Sequence, residues 1–259
     1  MARRRFFVDE VRSGRAEITG DEAHHLTRVL RVTAGQQFEI SDDRQVYLAE
    51  VQEARKDLVR FAIVSKLDPG PPTPPVTLVC ALIKFDRLEW MIEKATELGV
   101  ARIVPVETER SEHGLLRAAE KRVDRWRRIA LEASQQARRS FLPHIENPLR
   151  LAAHLQQPYD FRVRLDEELS APSLPIPVSW KQQTMALAIG PEGGWTDRER
   201  TAMDAAGWIA GSLGANILRA ETAALAGLAV VAHGWLQQQK EPPETLLSNT
   251  TPDQHAPDR

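Results

Sequence analysis

Apolar residues come in short runs along this chain, and the period of those runs changes near residue 75. Segments 5–8, 37–41, 46–51 and 58–64 are brief, alternating or β-branched, as in strands covered on one face. Between them, 21–32 sets Ala23, Leu26, Val29 and Leu30 on one helical face. Asp68 to Pro75 is too rich in proline for a helix or a central strand, and predicts a stiff extended linker at 69–75. The pattern then turns to longer buried runs. Segment 76–83 suits a strand. Segment 87–98 suits a helix with Leu88, Met91, Ile92, Ala95 and Leu98 inward and Gly99 as its stop, and 101–106 is a second strand. This βαβ unit implies a parallel sheet, hence an α/β class. Further on, 116–139 predicts one long helix, 161–165, 185–189 and 209–213 strands, and 196–206 and 222–238 helices. The expected organisation is a β-rich module over 1–68, an α/β unit over 76–240 and a proline-bearing, disordered tail over 241–259.

Composition narrows the class. With 42% hydrophobic and 27% charged residues and a net charge of −2, the chain is an ordinary globular protein and no polycation. Its one cysteine, Cys80, sits in an apolar run and is read as buried and inert. Cysteine clusters and HExxH spacing are absent, so no metal is expected. No apolar run approaches the ~20 residues of a membrane span, and the arginine-bearing start lacks the apolar stretch of a signal peptide, so the default location is cytoplasmic.

The chemistry concentrates between residues 188 and 225. The loop Gly190-Pro191-Glu192-Gly193-Gly194 follows one strand, and Ser212-Leu213-Gly214 follows another about twenty residues on, leading into Ile217-Leu218-Arg219-Ala220-Glu221-Thr222. Glycines admit close approach of a ligand to the backbone. Glu192, Asp197 and Glu199 make the first loop acidic and no lysine follows its glycines, which disfavours a pyrophosphate and suits a neutral or cationic ligand. The plainer reading of Thr196 and Glu199 is a helix capping box, and that of Asp86 an N-cap. Residues 117–139 carry eight basic side chains against three acidic ones, a solvated helix face or a contact for nucleic-acid phosphates. Arg3, Arg4, Arg5, Arg28 and Arg31 form a second basic group in the small module.

Taken in order, His24–Arg31 (HHLTRVLR), 84–100 (KFDRLEWMIEKATELGV), Glu109-Arg110-Ser111, 126–133 (WRRIALEA), GPEGG and 213–224 (LGANILRAETAA) resemble the SPOUT methyltransferases. Within that superfamily the chain is most similar to the 16S rRNA (uracil-N3)-methyltransferases, from Arg5 to about Trp235. Gln135, Gln136 and Arg138 depart from that family's usual pattern. The resemblance implies a PUA-like β-barrel RNA-binding module and a SPOUT domain with a C-terminal trefoil knot that binds S-adenosyl-L-methionine. It also implies a homodimer acting on 16S rRNA in the small ribosomal subunit. By motif, Arg219 and Glu221 would be catalytic, with Glu221 either accepting the N3 proton or orienting Arg219. Leu165, Ile189, Gly190, Glu192, Gly193, Leu213, Gly214, Ile217, Leu218 and Thr222 would hold the cofactor, and Arg5, Arg28, Arg31, Lys84, Arg87 and Arg139 the RNA. The alternatives are a SPOUT enzyme acting on another RNA, or an RNA-binding assembly factor without methylation.

Overall fold

A computed structural model describes residues 4–70, 72–168, 171–180 and 183–240; the tail expected to be disordered, and Arg3, lie outside the described residues. The first part contains β1 (Arg5–Phe7), β2 (Arg15–Thr19), α1 (Gly20–Arg28), β3 (Gln37–Ser41), β4 (Val46–Arg55) and β5 (Leu58–Leu67). They form one sheet in the order β1-β3-β4-β5-β2, antiparallel except for the β1–β3 pair. Leu26 and Ala23 of α1 close its inner face with Phe6, Ile18, Ile40, Val51, Val59 and Phe61. The helix stops at Arg28, short of the expected residue 32: Val29 is exposed, and Arg31 turns the chain with a φ of +53°.

The second part contains β6 (Val76–Ala81), α2 (Phe85–Glu97), β7 (Arg102–Glu107), α3 (Leu115–Glu120), α4 (Val123–Gln136), β8 (His144–Ile145), β9 (Leu149–Arg150) and α5 (Leu151–His154). It continues with β10 (Phe161–Leu165), β11 (Met185–Ile189), α6 (Asp197–Ala205), β12 (Ile209–Gly211) and α7 (Ala220–Lys240). These strands make a parallel sheet ordered β12-β10-β11-β6-β7-β8, with β9 also on β7. Strand alternation divides the core between two faces. Leu78, Cys80, Met185, Leu187 and Ile189 point to the layer with α2, α4 and α7, whereas Val79, Ala186 and Ala188 meet Trp195, Met203 and Trp208 on the other side. Burial pushes the Cys80 thiol up to about 12, consistent with an inert residue.

Two further expectations are corrected. The single helix over 116–139 is two helices, broken at Lys121-Arg122, so that Ala119 and Trp126 both reach the core. Asp86 lies inside α2 and Lys84 holds the N-cap position without a side-chain cap. The proline segment is fastened to the second part: Ser140 donates its hydroxyl to the Pro69 carbonyl, and Thr73 packs on Gly99.

Arg5 and Arg139, expected on RNA, are engaged inside the protein. Arg5 donates to Glu39 at 2.8 and 3.1 Å, to the Arg138 carbonyl at 2.9 Å and to the Ser140 hydroxyl at 2.8 Å, tying β1 to the segment after α4. Arg139 is buried and donates to the carbonyls of Thr96, Val100 and Phe141 at 2.7, 2.8 and 3.1 Å, closing the C-terminal end of α2. Burial draws its guanidinium down to about 10, against the opposing charge of Asp43. Every nitrogen of both guanidinium groups has a partner inside the protein, which turns these two side chains to structural use.

His154 gives a pH prediction. It is buried on α5, with Nε2 3.2 Å from the Tyr159 hydroxyl. Burial, then Arg102, pull its imidazole down to about 4, with Glu146 opposing. The folded value lies below the unfolded one, so the neutral ring's contribution to stability is complete above pH ~6.5 and is lost as pH falls toward 4. Comparing thermal midpoints at pH 7 and pH 4, His154→Gln should lose less on acidification than the parent. Equal losses would remove His154 from the acid response.

Candidate functional site

The C-terminal ends of β10, β11 and β12 open into a cavity of about 450 Å³. Its lining includes Leu165, Asp166 and Glu167 after β10, Ile189 to Trp195 after β11, and Ser212, Leu213, Gly214 and Asn216 to Ala220 after β12. Ligands bind at such strand ends because the loops there leave backbone groups free. The two glycine loops separated in sequence thus meet around one space.

The first loop is braced from several sides. Trp195 is fully buried and donates its indole N–H to the Leu165 carbonyl at 2.8 Å, linking the loop to β10. Gly190 lies over that ring, with its missing Cβ position 3.1 Å from Trp195 Cε2. Gly194 has φ +70°, a conformation that favours glycine. Thr196 caps α6 and Glu199 completes the capping box, as the sequence predicts. Glu199 also accepts from the Glu109 amide at 2.8 Å, and Arg110 donates to the Gly193 carbonyl. Ser111 donates to the Leu82 carbonyl at 3.1 Å. The Glu109-Arg110-Ser111 turn therefore fastens the glycine loop and α6 to the end of β6.

Charge is distributed less simply than the sequence suggests. Arg87 of α2 pairs with Glu192 across the cavity mouth, so the loop's acid is compensated. Asp166, its side chain almost wholly buried, accepts two hydrogen bonds from Arg200 at 3.0 Å each. Burial alone would raise its carboxyl; Arg200 and Arg164 outweigh this and hold it below the ordinary carboxylate value. Glu167 stands against Gly194 and adds a carboxylate to the wall.

Of the expected cofactor residues, Leu165, Ile189, Gly190, Glu192, Gly193, Leu213, Gly214, Ile217 and Leu218 all line the cavity. Thr222 is exposed on α7 and lies outside the lining, because the helix turns it away. Arg219 lines the cavity, is exposed and has no ion pair or side-chain hydrogen bond among the described residues. Glu221 is buried outside the lining, unpaired with Arg219, and its Oε2 has no hydrogen-bond partner among the described residues. The side chains of Arg28, Arg31 and Lys84 are exposed and unpaired among the described residues. Sequence reasoning passed over Asp166, Glu167 and Trp195. The first two directly follow a predicted strand, and the strand-end rule extended to β10 would have found them.

Among the described residues no three histidine, cysteine or acidic side chains gather as a metal site, and no helix is long and apolar enough to cross a membrane.

Comparison with known proteins places the whole chain. A model of the RNA methyltransferase domain matches residues 71–232, and one of the RNA methyltransferase PUA domain matches 18–64. Ribosomal RNA small subunit methyltransferase E of Bacillus subtilis is 33% identical over 227 residues, covering 83% of this chain and 89% of its own length. The Synechocystis protein of the same name is 34% identical over 221 residues, covering 83% and 71%. Among solved structures, the methyltransferase E of Neisseria gonorrhoeae bound to S-adenosyl methionine superposes with a TM-score of 0.82 at 28% identity, over 90% of this chain and 98% of that one. A Legionella pneumophila putative methyltransferase in complex with the same cofactor gives 0.79 at 27% identity, over 90% and 98%. With its glycine loops, its N-terminal sheet and these matches along most of its length, the chain belongs to the ribosomal RNA small subunit methyltransferase E family.

Proposed function

We propose that this protein methylates N3 of a uridine in 16S rRNA, within the small ribosomal subunit, using S-adenosyl-L-methionine. The observation that carries the reading is the convergence of two glycine loops on one cavity, with the unpaired Arg219 in its wall. Both neighbours that hold this cofactor superpose over nine-tenths of the chain. The cavity falls within the ~300–1,000 Å³ usual for small-molecule sites. Glycines at 190, 193, 194 and 214 allow backbone approach, and the exposed Glu167 carboxylate in the wall suits a cationic group.

When bound, S-adenosyl-L-methionine supplies an electrophilic methyl group on a sulfonium. Ile189, Leu213, Ile217 and Leu218 would enclose its apolar parts, and the glycine loops its polar edges. The chain's own task is to make N3 nucleophilic. A neutral imide nitrogen reacts poorly, so its proton must pass to solvent water and the resulting anion must be stabilised until N3 takes the methyl group from the sulfonium, which leaves as the neutral thioether. We assign that stabilisation to Arg219, whose guanidinium would stand against a uracil oxygen. Glu221 fits a positioning role at the start of α7, where a carboxylate favours the helix dipole; its unpartnered oxygen expects a donor from outside the described residues.

In this reading residues 1–68 are a PUA-like module, 69–75 its link and 76–240 a knotted SPOUT unit, with Arg28, Arg31 and Lys84 facing RNA phosphates and Arg87 exchanging Glu192 for one when RNA binds. The active form is a homodimer; exposed Val230 and Leu236 on α7, with Ile217 beside the cavity, give it apolar surface to cover.

The test is methyl transfer from labelled cofactor to small subunits that lack the modification, followed by nucleoside analysis. N3-methyluridine is the expected product. Label in another nucleoside would replace the assigned atom. Cofactor binding without transfer would point to another RNA, and no cofactor binding to an assembly factor.

A further inference from the structure

The break between α3 and α4 creates a second concavity. It measures about 530 Å³ and is lined by Gly114, Arg117, Ala118, Lys121, Arg122 and Arg125: four cations and no acid. Beneath it, Glu89 of α2 pairs with Arg122 at 3.0 Å and Arg125 at 2.8 Å. Arg125, then Arg122, hold the Glu89 carboxyl below its ordinary value, so it is charged and fixes both guanidinium groups in place. Arg122 also lies over the Phe85 ring, 4.4 Å from its centroid. Arg117 and Lys121 are exposed, with no ion pair or side-chain hydrogen bond among the described residues. One carboxylate against four cations leaves a surplus of three positive charges in one hollow.

An ordinary solvated helix face spreads its charges outward. Here the break at Lys121-Arg122 gathers them, and two are pre-oriented from below. The hollow also adjoins the cofactor cavity through a single turn of α2: Arg87 lines that cavity, while Phe85 and Glu89 hold the arginines of the hollow.

We propose that this basin is a docking subsite for the phosphodiester backbone of the RNA flanking the target nucleotide. The identity of that RNA rests on the methyl-transfer reading above; the basin's preference for phosphate does not. Arg117 and Lys121, free of internal partners, supply the phosphate contacts, and Arg122 and Arg125, held on Glu89, add fixed positive charge behind them with the N–H groups that Glu89 does not take. Bound phosphates release counterions, so the contact has a salt slope set by the number of phosphates neutralised.

The experiment compares the full-length protein with Arg117→Gln/Lys121→Gln and Arg117→Glu/Lys121→Glu, all four replacements being at exposed positions. KM for small subunits is measured across a potassium chloride series, and cofactor affinity by calorimetry. The charge reversal should raise KM about tenfold at moderate salt, and the glutamine pair should make the log–log salt slope shallower by about 1.4, or ~0.7 for each charge on single-stranded RNA. Cofactor affinity should stay at the parent value. A parental KM and slope in both variants would overturn the proposal, as would a rise in KM independent of salt. If the parent transfers no methyl group, the function reading fails separately. Filter binding of labelled 16S rRNA, read by the same salt slopes, then decides the basin.

Discussion

Arg219→Ala should lower kcat about 10²- to 10³-fold while changing the affinity for S-adenosyl-L-methionine less than about threefold, the usual effect of removing one donor that faces developing charge. The split follows from its position. Arg219 belongs to the cavity wall but has no internal partner, so its removal breaks no contact that holds either glycine loop. The loops are braced by Trp195, Arg110 and the capping box instead. Arg219→Lys should recover part of the loss, because it keeps the charge and gives up the planar fork. Single-turnover methylation with saturating cofactor and RNA reads the chemical step directly. Unimpaired turnover would remove Arg219 from the mechanism. A parallel fall in kcat and cofactor affinity would make it a wall residue. Glu221→Gln, by contrast, keeps the shape of a buried group outside the lining and should act chiefly on the placement of α7.

Where buried runs and turn chemistry decide the structure, the sequence was informative. Met185 to Ile189 is buried along its whole length and ends at the predicted loop, and Thr196 with Glu199 forms the predicted capping box. β2 was missed because Arg15–Thr19 offers only Ala16 and Ile18 to the inside, too little apolar content to stand out. The break after α3 carries neither glycine nor proline; it comes from tertiary packing of Ala119 and Trp126, which periodicity cannot register. Long-range partnership was equally out of reach. Arg5 and Arg139 look like free cations in sequence, yet their partners lie 133 and 43 residues away. The cavity was legible because its walls are strand ends, and strand ends follow from strands. The basic basin was legible only as a charge surplus, since its concavity depends on the unforeseen break.

Gly190→Val should weaken cofactor affinity about a hundredfold, roughly 2.8 kcal/mol at 1.4 kcal/mol per tenfold. Even the first added carbon would sit 3.1 Å from the Trp195 ring, closer than an unstrained contact. That ring cannot yield easily: it is fully buried and tethered to the Leu165 carbonyl. The valine must therefore displace Trp195, which moves both Leu165 and the glycine loop, or turn its methyls into the cavity. Either outcome removes the space a ligand would occupy. At Gly193 a Cβ meets only the aliphatic stem of Arg110 at 3.2 Å, an exposed side chain that can shift by a few tenths of an ångström while keeping its bond to the loop. Gly193→Ala should accordingly cost less than about tenfold. Calorimetric titration of the two variants gives the order, and their thermal midpoints without ligand separate lost binding from overpacking, which by itself costs ~1–3 kcal/mol of stability. Parental affinity in a folded Gly190→Val protein would mean that the cofactor lies elsewhere than against this loop.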